Sequence, residues 1–187
     1  MDSKQLVNFF HEVGFLKTVP RSGWFLIGKD NPESVAEHSF RTAVIGYFLA
    51  KREGVDYDKV MKVCLFHDMH ETRTGDLNKV NQRYIDSALA EKNSFLEMIS
   101  GLEDDELKEV YSDFKSGSRE GVICKDADHI ECALQAKEYI DQGYEQAWDW
   151  INNIAKVIRT DAAKELLELI KDSDSNEWWK GLKKIEG

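Results

Sequence analysis

The stretch FHDMHETRTGDL occupies residues 66–77, and its first residue, Phe66, is the last of an apolar run at residues 63–66. The next ten residues contain two histidines, two aspartates and a glutamate. A charged carboxylate is costly to bury unless an ion or a hydrogen-bonding group pairs with it. A metal ion, a substrate or a surface position would each remove that cost. The rest of the sequence has to decide among these three interpretations.

The spacing of the polar residues favours a single face of a helix. Consecutive residues of an α-helix are about 100° apart, so with His67 as the reference Asp68 lies at about 100° and Glu71 at about 40°. The apolar run before them indicates that this face enters the protein. A His-Asp pair with a third carboxylate in reach suits a hard-to-borderline divalent metal ion. The pair supplies only two ligands, so others must come from elsewhere in the chain.

Length and composition limit the domain count and the class of ligand. The chain has 187 residues, of which 42% are apolar, and this is enough for one domain with a full core and short for two. We therefore expect a single domain over residues 1–187. The formal net charge of −10, with scattered lysines and arginines, argues against a nucleic-acid polymer as partner. A small phosphorylated ligand held by one or two local bases remains compatible with it.

Cysteine usage and hydropathy predict the compartment. Cys64, Cys124 and Cys132 have no CxxC spacing and lie in apolar helical contexts, so we expect small buried side chains in a reducing environment. No apolar run approaches the ~18 residues of a membrane span. The first residues, MDSKQLVNFFHEVG, lack the apolar segment of a secretory signal. The expectation is a cytoplasmic protein that does not interact with membranes.

Apolar periodicity predicts helices with short connectors and no strands. A first helix is expected over Ser3–Val13, followed by a long irregular segment at residues 14–33, a length that is often functional. Ser34 and Glu37 form a capping box that begins a second helix, which continues to about Gly54. Further helices are expected over about 57–74, 84–100, 103–115, 119–141, 144–157, 161–172 and 175–185. The predicted fold class is all-α.

Further metal ligands can be sought on two of these helices. His38 lies in the first turn of the second helix, where a core or capping histidine is the ordinary interpretation. The segment KDADHIEC, residues 125–132, offers Asp126 and Asp128. These two aspartates are about 200° apart on a helix, so one of them should face solvent, and geometry does not say which. A solvated acidic face is the ordinary interpretation of this pair.

The other three histidines, His11, His70 and His129, are expected to be polar surface residues. His70 is three residues after His67 and could therefore reach the edge of a site built around that residue.

Four segments occur in a distinctive order: PRSGW at residues 20–24, ESVAEHSFR at 33–41, FHDMHETRTGDL at 66–77 and KDADHIECALQAKEY at 125–139. This arrangement resembles the HD-domain metal-dependent phosphohydrolases, which are named for a His-Asp pair. Within that superfamily it is most similar to the small 5′-deoxynucleotidases. The resemblance covers about residues 5–140, and HDxxExxTGDL is far more specific than the HD pair alone. The C-terminal helices, over residues 141–187, carry no motif of that family.

The resemblance implies an HD-domain helical bundle with a mononuclear metal site. Its ligands by position are His38, His67, Asp68 and Asp128, which selects Asp128 over Asp126. Two imidazoles, two carboxylates and water suit Co²⁺, Mn²⁺ or Fe²⁺, with Zn²⁺ and Mg²⁺ as alternatives. Such an ion would polarise a phosphoryl oxygen and make a water molecule more acidic.

Catalytic and substrate-binding roles are also implied by the resemblance. Glu71 would orient or deprotonate the attacking water, and Arg21 would bind the phosphate, although Gly23 stands where some members have the arginine. Trp24 would pack against the sugar and disfavour a 2′-hydroxyl, and Asp76 would accept a hydrogen bond from the 3′-hydroxyl. The ordinary interpretation of Glu71 is an exposed helix acid, and that of Arg21 is a surface base. Trp24 would ordinarily be a core aromatic, and Asp76 the N-cap of the next helix.

The implied function is hydrolysis of deoxyribonucleoside 5′-monophosphates to deoxynucleoside and phosphate by a homodimer. One alternative is an HD hydrolase acting on a deoxynucleoside triphosphate, a cyclic nucleotide or guanosine tetraphosphate; a triphosphate should require more bases than Arg21, and a two-metal site more histidines. The other is a non-catalytic HD scaffold, although such proteins lose the ligand set that is complete here.

The C-terminal tryptophans either supply a partner surface or complete the core; they are Trp148, Trp150, Trp178 and Trp179.

Overall fold

The computed structural model describes residues 2–182, which form α-helices and short 3₁₀ helices. The α-helices are α1 (Ser3–Gly14), α2 (Val35–Glu53), α3 (Tyr57–Phe66), α4 (Glu71–Thr74), α5 (Lys79–Gln82), α6 (Ala88–Ile99), α7 (Asp105–Lys115), α8 (Arg119–Asp141), α9 (Trp148–Ile154) and α10 (Asp161–Asp172). The 3₁₀ helices are Phe15–Thr18, Ser22–Ile27, Glu145–Ala147 and Glu177–Trp179. Within residues 2–182, β-type pairing is limited to one isolated bridge between Pro20 and Ser34. The prediction of an all-α fold is confirmed.

Helix α2 begins and ends where the sequence predicts. The Ser34 hydroxyl accepts a hydrogen bond from the backbone N–H of Glu37 at 3.3 Å, and the Glu37 carboxylate accepts one from the Ser34 N–H at 2.6 Å. Both contacts satisfy donors that a helix start leaves free. At the other end Gly54 adopts a left-handed conformation with φ 68°, which glycine enters at no steric cost.

The helix predicted over residues 57–74 is interrupted, and that prediction is wrong in this respect. Helix α3 ends at Phe66, and a tight turn at residues 67–70 leads into α4. In this turn the N–H of Met69 bonds to the carbonyl of Phe66, and that of Glu71 to the carbonyl of Asp68. These are bonds of the 3₁₀ type, which advance the chain by more than 100° per residue. The angular positions expected for an uninterrupted helix therefore do not apply at the His-Asp pair.

The segment before α2 is held against the start of that helix. The N–H of Arg21 donates to the carbonyl of Glu33 at 2.9 Å, and the N–H of Val35 donates to the carbonyl of Val19, also at 2.9 Å. These two contacts close a loop that contains the 3₁₀ helix Ser22–Ile27. The irregular segment is thus ordered, and its fold fixes where Arg21 and Trp24 lie.

Helix α8 forms the centre of the core. It is packed by α2, α3, α7, α9 and α10, and its residues Cys124, Ala127 and Ile130 are almost completely buried. Cys64 on α3 is also buried, and Cys132 is half-buried, as expected for free thiols in apolar surroundings. Because α2, α3 and α8 are mutual neighbours, the residues of three sequence motifs can meet between them.

Several later helices are shorter than predicted. The region 84–100 has α6 from Ala88 only, and 144–157 has a 3₁₀ turn before α9. For 175–185 the described part contains a 3₁₀ turn and no α-helix, while residues 183–185 lie outside the described residues. Trp148 and Trp150 pack against the core, whereas Trp178 is 76% exposed. None of the helices in residues 2–182 combines the length and the apolar character that crossing a membrane requires.

Candidate active site

The four predicted metal ligands converge between α2, α8 and the turn after α3. Potential ligand atoms of His38, His67 and Asp128 all lie within 4.8 Å of one another. Asp128 Oδ1 is 3.2 Å from His38 Nε2, and Asp68 Oδ2 is 3.1 Å from His67 Nε2 and 3.7 Å from His38 Nε2. Two imidazole nitrogens and two carboxylates therefore face one small volume.

The hydrogen bonding of His67 leaves one ring nitrogen free for a ligand. Its Nδ1 lies 2.7 Å from the carbonyl oxygen of Cys64, and because a carbonyl can only accept, Nδ1 carries the proton. In the neutral ring Nε2 then carries no proton, and its lone pair is free to bind a metal ion. This atom is buried and has no hydrogen-bond partner within the described part of the chain. An unpaired lone pair at a buried position beside two carboxylates fits a metal ion.

His38 is oriented by a buried carboxylate. Its Nδ1 donates to Glu131 Oε2 at 2.5 Å, so Nε2 points toward Asp68 and Asp128. Glu131 is itself held by Arg41, whose Nε donates to Oε1 at 2.8 Å. Burial and the charge of Arg21 lower the pKa of His38, but Glu131 and Asp128 outweigh them and raise it to about 10. A carboxylate on the far nitrogen is the usual support of a metal-binding histidine.

Asp126 and Asp128 have different environments: Asp126 is buried, whereas Asp128 is half-buried with its side chain 26% exposed. Asp128 lies in the site, where burial raises its pKa but His38 outweighs that effect and holds the pKa well below its usual range. Asp126 is 1% exposed, and its carboxylate accepts hydrogen bonds from the backbone N–H groups of Arg159 and Thr160. Asp126 therefore does not face solvent, because the loop before α10 covers it, and the aspartate of the pair that keeps some exposure is Asp128.

Glu71 begins α4 at the edge of the ligand cluster and is 8% exposed. Its Oε2 is buried without a hydrogen-bond partner among residues 2–182. Burial, followed by the charges of Asp68 and Asp76, raises the pKa of this carboxyl well above its usual value, and Arg21 only partly offsets the rise. Glu71 is therefore not the exposed helix acid of the ordinary interpretation.

Arg21 lies over the carboxylates of the site. Its Nη1 donates to Asp68 Oδ2 and to Asp76 Oδ1, each at 3.3 Å, and its Nη2 is 4.0 Å from Asp128 Oδ1. Burial lowers the pKa of the guanidinium, but the charges of Asp68 and Asp76 outweigh it and raise the pKa well above the usual value. The Arg21 side chain is 18% exposed.

Asp76 ties the 3₁₀ segment to the turn after α4. Its Oδ2 accepts hydrogen bonds from the N–H and the hydroxyl of Ser22, at 2.6 and 2.7 Å. The ordinary interpretation of Asp76 as the N-cap of the next helix is wrong, since Asn78 caps α5 through the N–H groups of Val80 and Asn81. The carboxylate of Asp76 thus faces Arg21 and the site.

Trp24 is packed inside the protein. It is 2% exposed, and its ring centroid is 4.9 Å from that of Trp150 in a stacked arrangement and 5.0 Å from that of Tyr139. Its indole N–H donates to Glu33 Oε1 at 3.0 Å. This environment agrees with the alternative of a core aromatic.

The remaining histidines differ in exposure. His11 is exposed, as expected, and His129 is half-buried. The prediction that His70 is a surface residue is wrong: it is 6% exposed, with Nδ1 3.3 Å from the Thr74 hydroxyl and its ring against that of Tyr111. Burial lowers the pKa of His70, which favours the neutral imidazole.

Comparison with known proteins identifies the family. The sequence profile described as "HD domain" matches residues 13–170 of the chain. The chain belongs to the HD-domain family. The 5′-deoxynucleotidase HDDC2 of Dictyostelium discoideum is 34% identical to this HD-domain protein in an alignment of length 155 that covers 74% of this chain and 80% of that protein.

Two solved structures share the HD-domain fold. A conserved hypothetical protein from Pyrococcus furiosus superposes with a TM-score of 0.77 at 30% identity, over 89% of this chain and 99% of that one. The HD phosphohydrolase DatZ of cyanophage S-2L, solved with dA and one catalytic Zn²⁺ ion, is 17% identical with a TM-score of 0.55, over 87% and 96% of the chains. At that identity the second likeness shows the fold alone.

Sequence reasoning missed the residues that support the ligands of this HD domain. Glu131 and Arg41 hold His38, Ser22 holds Asp76, and Glu33 accepts from the indole of Trp24. A signal for Glu131 was present, because it follows Asp128 by three residues and so lies on the same side of a helix. For Ser22 and Arg41 the chain order alone contained no comparable signal.

Proposed function

We propose that this HD-domain protein is a metal-dependent phosphomonoesterase that hydrolyses deoxyribonucleoside 5′-monophosphates to deoxynucleosides and phosphate. The observation that carries the proposal is the buried, unpaired Nε2 of His67, which faces Asp68, Asp128 and Nε2 of His38. Family membership supports hydrolase chemistry, and the relative from Dictyostelium carries the name of a 5′-deoxynucleotidase.

His38, His67, Asp68 and Asp128 are the proposed ligands of one divalent ion. No cysteine joins this group within residues 2–182, so the donor set does not demand Zn²⁺; Co²⁺, Mn²⁺ or Fe²⁺ suit it, with Zn²⁺ and Mg²⁺ as alternatives. The chemistry that a bound ion supplies at such a site is polarisation of a phosphoryl oxygen and activation of water. The protein's part is to hold the imidazoles in the correct tautomer, through the Cys64 carbonyl for His67 and Glu131 for His38.

Arg21 is the proposed phosphate-binding group. It is the base that reaches over Asp68, Asp76 and Asp128, and its planar guanidinium can donate two hydrogen bonds to phosphate oxygens. In the proposed complex the monophosphate, with a charge of about −2, would take the place of some of the carboxylate contacts that the Arg21 guanidinium makes in this structure. One local arginine matches a monophosphate better than a triphosphate, which would leave further negative charge unpaired.

Glu71 is proposed to orient the attacking water and to accept its proton. A carboxylate with a raised pKa is a stronger base than an exposed one and so a more effective proton acceptor near neutral pH. The unpaired Oε2 leaves one oxygen of this carboxyl available for that contact. After bond cleavage the same group can return the proton to the leaving 5′-oxygen.

Sugar recognition is assigned to Asp76 and Trp24. Asp76 lies beside Arg21, where a carboxylate oxygen could accept a hydrogen bond from the 3′-hydroxyl. Trp24 is buried, so we place its ring in the wall that limits the depth of the sugar subsite and leaves no room for a 2′-hydroxyl. Its stacking on Trp150 and its hydrogen bond to Glu33 would keep that wall rigid.

The same proposal includes a single domain over residues 1–187 that acts in the cytoplasm as a homodimer, without nucleic-acid polymer or membrane as partner. The packing of α9 and α10 into the same core as α8 supports the single domain. A mass in solution of twice that of one chain would support the dimer.

The first experiment is a phosphate-release assay with purified protein. The substrates are the 5′-deoxymononucleotides, the matching ribonucleotides, 3′-monophosphates and triphosphates, each with Co²⁺, Mn²⁺, Zn²⁺, Mg²⁺ or a chelator. Release confined to the 5′-deoxy set, dependent on metal and lost in Glu71→Gln, is the expected result. Turnover of triphosphates or cyclic nucleotides in its place would keep the HD fold and overturn the proposed substrate. No turnover of any of these phosphates with any of the ions would favour the scaffold alternative.

A further inference from the structure

A cavity of about 490 Å³ lies between α2 and α8. Phe40, Arg41 and Val44 of α2 line one side of it, and Gln135 and Tyr139 of α8 line another. The volume is in the range of small-molecule sites, about 300–1,000 Å³. The lining residues are distinct from the proposed metal ligands and from the residues assigned to the phosphate and the sugar, so the proposed reaction leaves this cavity without a role.

Two buried side chains of the cavity offer hydrogen-bond donors. Gln135 is 8% exposed; its Oε1 accepts from Nη2 of Arg41 at 3.0 Å, and within residues 2–182 its amide N–H groups have no acceptor. The hydroxyl of Tyr139 accepts from the N–H of Glu33 at 3.0 Å, and its own O–H likewise has no acceptor in that part of the chain. Burial raises the pKa of Tyr139 to about 12, so the hydroxyl keeps its proton. Buried donors are normally paired, and a ligand with acceptor atoms would pair these two.

The charges around the cavity favour an uncharged ligand. Arg41 is the base among the described residues that line it, and its charge is already matched by Glu131 at 2.8 Å and Glu138 at 2.5 Å. The acids of the lining are Glu33 and Glu37. A phosphate group would therefore meet no unpaired positive charge here, and donors without acceptors do not suit a cation. The lining selects against both kinds of ion.

The apolar side of the cavity suits a flat ring. Phe40 and Val44 are 67% and 42% exposed, and aromatic side chains are the usual stacking partners of nucleobases. A base with two carbonyl groups, such as thymine or uracil, could stack on Phe40 and accept hydrogen bonds from Gln135 and Tyr139. Adenine lacks carbonyl oxygens and matches the two donors less well.

We propose that the cavity between α2 and α8 binds the pyrimidine base of an uncharged deoxynucleoside, and that this binding strengthens the metal site. A deoxynucleoside is the product of the proposed reaction, so the source of the ligand rests on the proposed function, whereas the chemistry of the cavity does not. A free base carries the same recognition chemistry, and binding measurements with both compounds separate the two sources.

A chain of hydrogen bonds connects the cavity to a proposed metal ligand. Arg41 donates to Gln135 and to Oε1 of Glu131, and Oε2 of Glu131 accepts from Nδ1 of His38. A base that accepts from the Gln135 amide polarises it, which makes its oxygen a stronger acceptor for Arg41. The chain is then more rigid, and a metal ion that needs the observed orientation of His38 orders less of it on binding. By linkage, base and metal raise each other's affinity by the same factor.

Calorimetric titration of the metal-free full chain with thymine, thymidine and deoxyadenosine tests the site. Thymine is the decisive probe, because it lacks the sugar that the proposed active site would also recognise. Phe40→Ala should weaken thymine binding about tenfold or more, the usual effect of removing a stacking partner. Val44→Trp should abolish it by filling the cavity. Phe48→Ala is the matched control, since Phe48 is 61% exposed on the same helix but does not line the cavity, and it should bind like the wild type.

The two sources of the base give different results in the same titrations. Thymidine that binds more tightly than thymine, and loses affinity in Phe40→Ala, identifies the deoxynucleoside as the ligand. Equal affinities of thymine and thymidine assign the cavity to the free base and overturn the product as its source. Deoxyadenosine should show no loss of affinity in Phe40→Ala, because its binding would be confined to the active site. Unchanged helical content by circular dichroism shows that each variant folds.

Titration with Mn²⁺ tests the link to the metal site. Saturating thymine should raise the Mn²⁺ affinity at least about fivefold in the wild type and in Phe48→Ala, and should not do so in Phe40→Ala. Thymine binding with unchanged Mn²⁺ affinity would keep the site and overturn the link. Thymine and thymidine that fail to bind, or that bind equally well to Val44→Trp, overturn the site, as does inorganic phosphate that binds in their place. Phosphate release by the same wild-type sample decides the proposed function independently, because these titrations require no turnover.

Discussion

The carboxylate of Glu131 accepts a hydrogen bond from Nδ1 of His38 at 2.5 Å, inside the core and 0% exposed at both side chains. The contact fixes which nitrogen of His38 carries the proton and turns the other toward Asp68 and Asp128. Burial raises the pKa of Glu131, but the charges of His38 and Arg41 outweigh burial and lower the pKa overall. Glu131 is therefore a carboxylate and accepts the hydrogen bond. One buried pair thus links the packing of α2 on α8 to the chemistry of the site.

Glu131→Gln should reduce the affinity for Mn²⁺ or Co²⁺ by about 10–100-fold, the usual effect of removing a support from a metal-binding histidine. The measurement is a calorimetric titration of the metal-free protein. Glu138→Gln is the matched control, since Glu138 also bonds to Arg41 but does not contact His38 in the structure. Equal affinities of Glu131→Gln and the wild type would show that Glu131 does not orient His38.

Glu71→Gln should lower the rate of phosphate release by about 10²–10⁴-fold, because glutamine cannot accept a proton from the attacking water. The affinity for metal should be unchanged, since Glu71 lies outside the His38–His67–Asp128 group. Single-turnover kinetics with saturating metal separate these two effects. A large loss of metal affinity with a normal rate in the metal-loaded enzyme would instead make Glu71 a ligand.

Local signals predicted the parts of this fold that depend on neighbouring residues. The capping box of Ser34 and Glu37 and the glycine at position 54 fix α2 without help from the rest of the chain. The break after Phe66 was not predictable in this way. It coincides with a side-chain contact, His67 to the Cys64 carbonyl, which occupies an oxygen that a continuous helix would offer to residue 68.

The ligand set could be named from the sequence motifs, whereas its supports could not. Glu131 reaches His38 only because α8 packs beside α2, and Ser22 reaches Asp76 across 54 residues of chain. Such contacts depend on the tertiary arrangement, which periodicity does not encode. The burial of His70 has the same origin, since it follows from the packing of Tyr111 on α7 against the turn after α3.

Asp126→Asn should destabilise the protein by about 1–3 kcal/mol, the cost of weakening hydrogen bonds between a buried carboxylate and backbone donors. Asp126 accepts from the N–H of Arg159 at 3.1 Å and from that of Thr160 at 2.6 Å. Chemical denaturation of the metal-free protein measures the change. Asp128→Asn is the contrasting variant: it, rather than Asp126→Asn, should abolish metal binding, because it removes a carboxylate from the proposed ligand set. The reverse outcome would exchange the roles of the two aspartates.

The buried carboxyl of Glu33 should make stability depend on pH near neutrality. Burial, followed by the charge of Glu131, raises the pKa of Glu33 to about 7. Since the unfolded chain releases this proton near pH ~4.3, the folded form binds more protons between the two values, and stability falls as the pH rises toward about 7. Glu33→Gln keeps an acceptor for the indole N–H of Trp24 but cannot ionise, so its stability relative to the wild type should increase over that range.

Glu37→Gln is the control of opposite sign for this prediction. Hydrogen bonds from the N–H and hydroxyl of Ser34 lower the pKa of Glu37, so its contribution is present above the unfolded pKa and is lost as the pH falls through the folded value. Urea denaturation of the metal-free variants from about pH 3, below the unfolded pKa of ~4.3, to about pH 8 gives both profiles. The Glu33→Gln difference should grow with rising pH, and the Glu37→Gln difference should shrink as the pH falls. A Glu33→Gln difference that stays constant across this range would mean that Glu33 does not titrate there, and that it is buried as a carboxylate throughout.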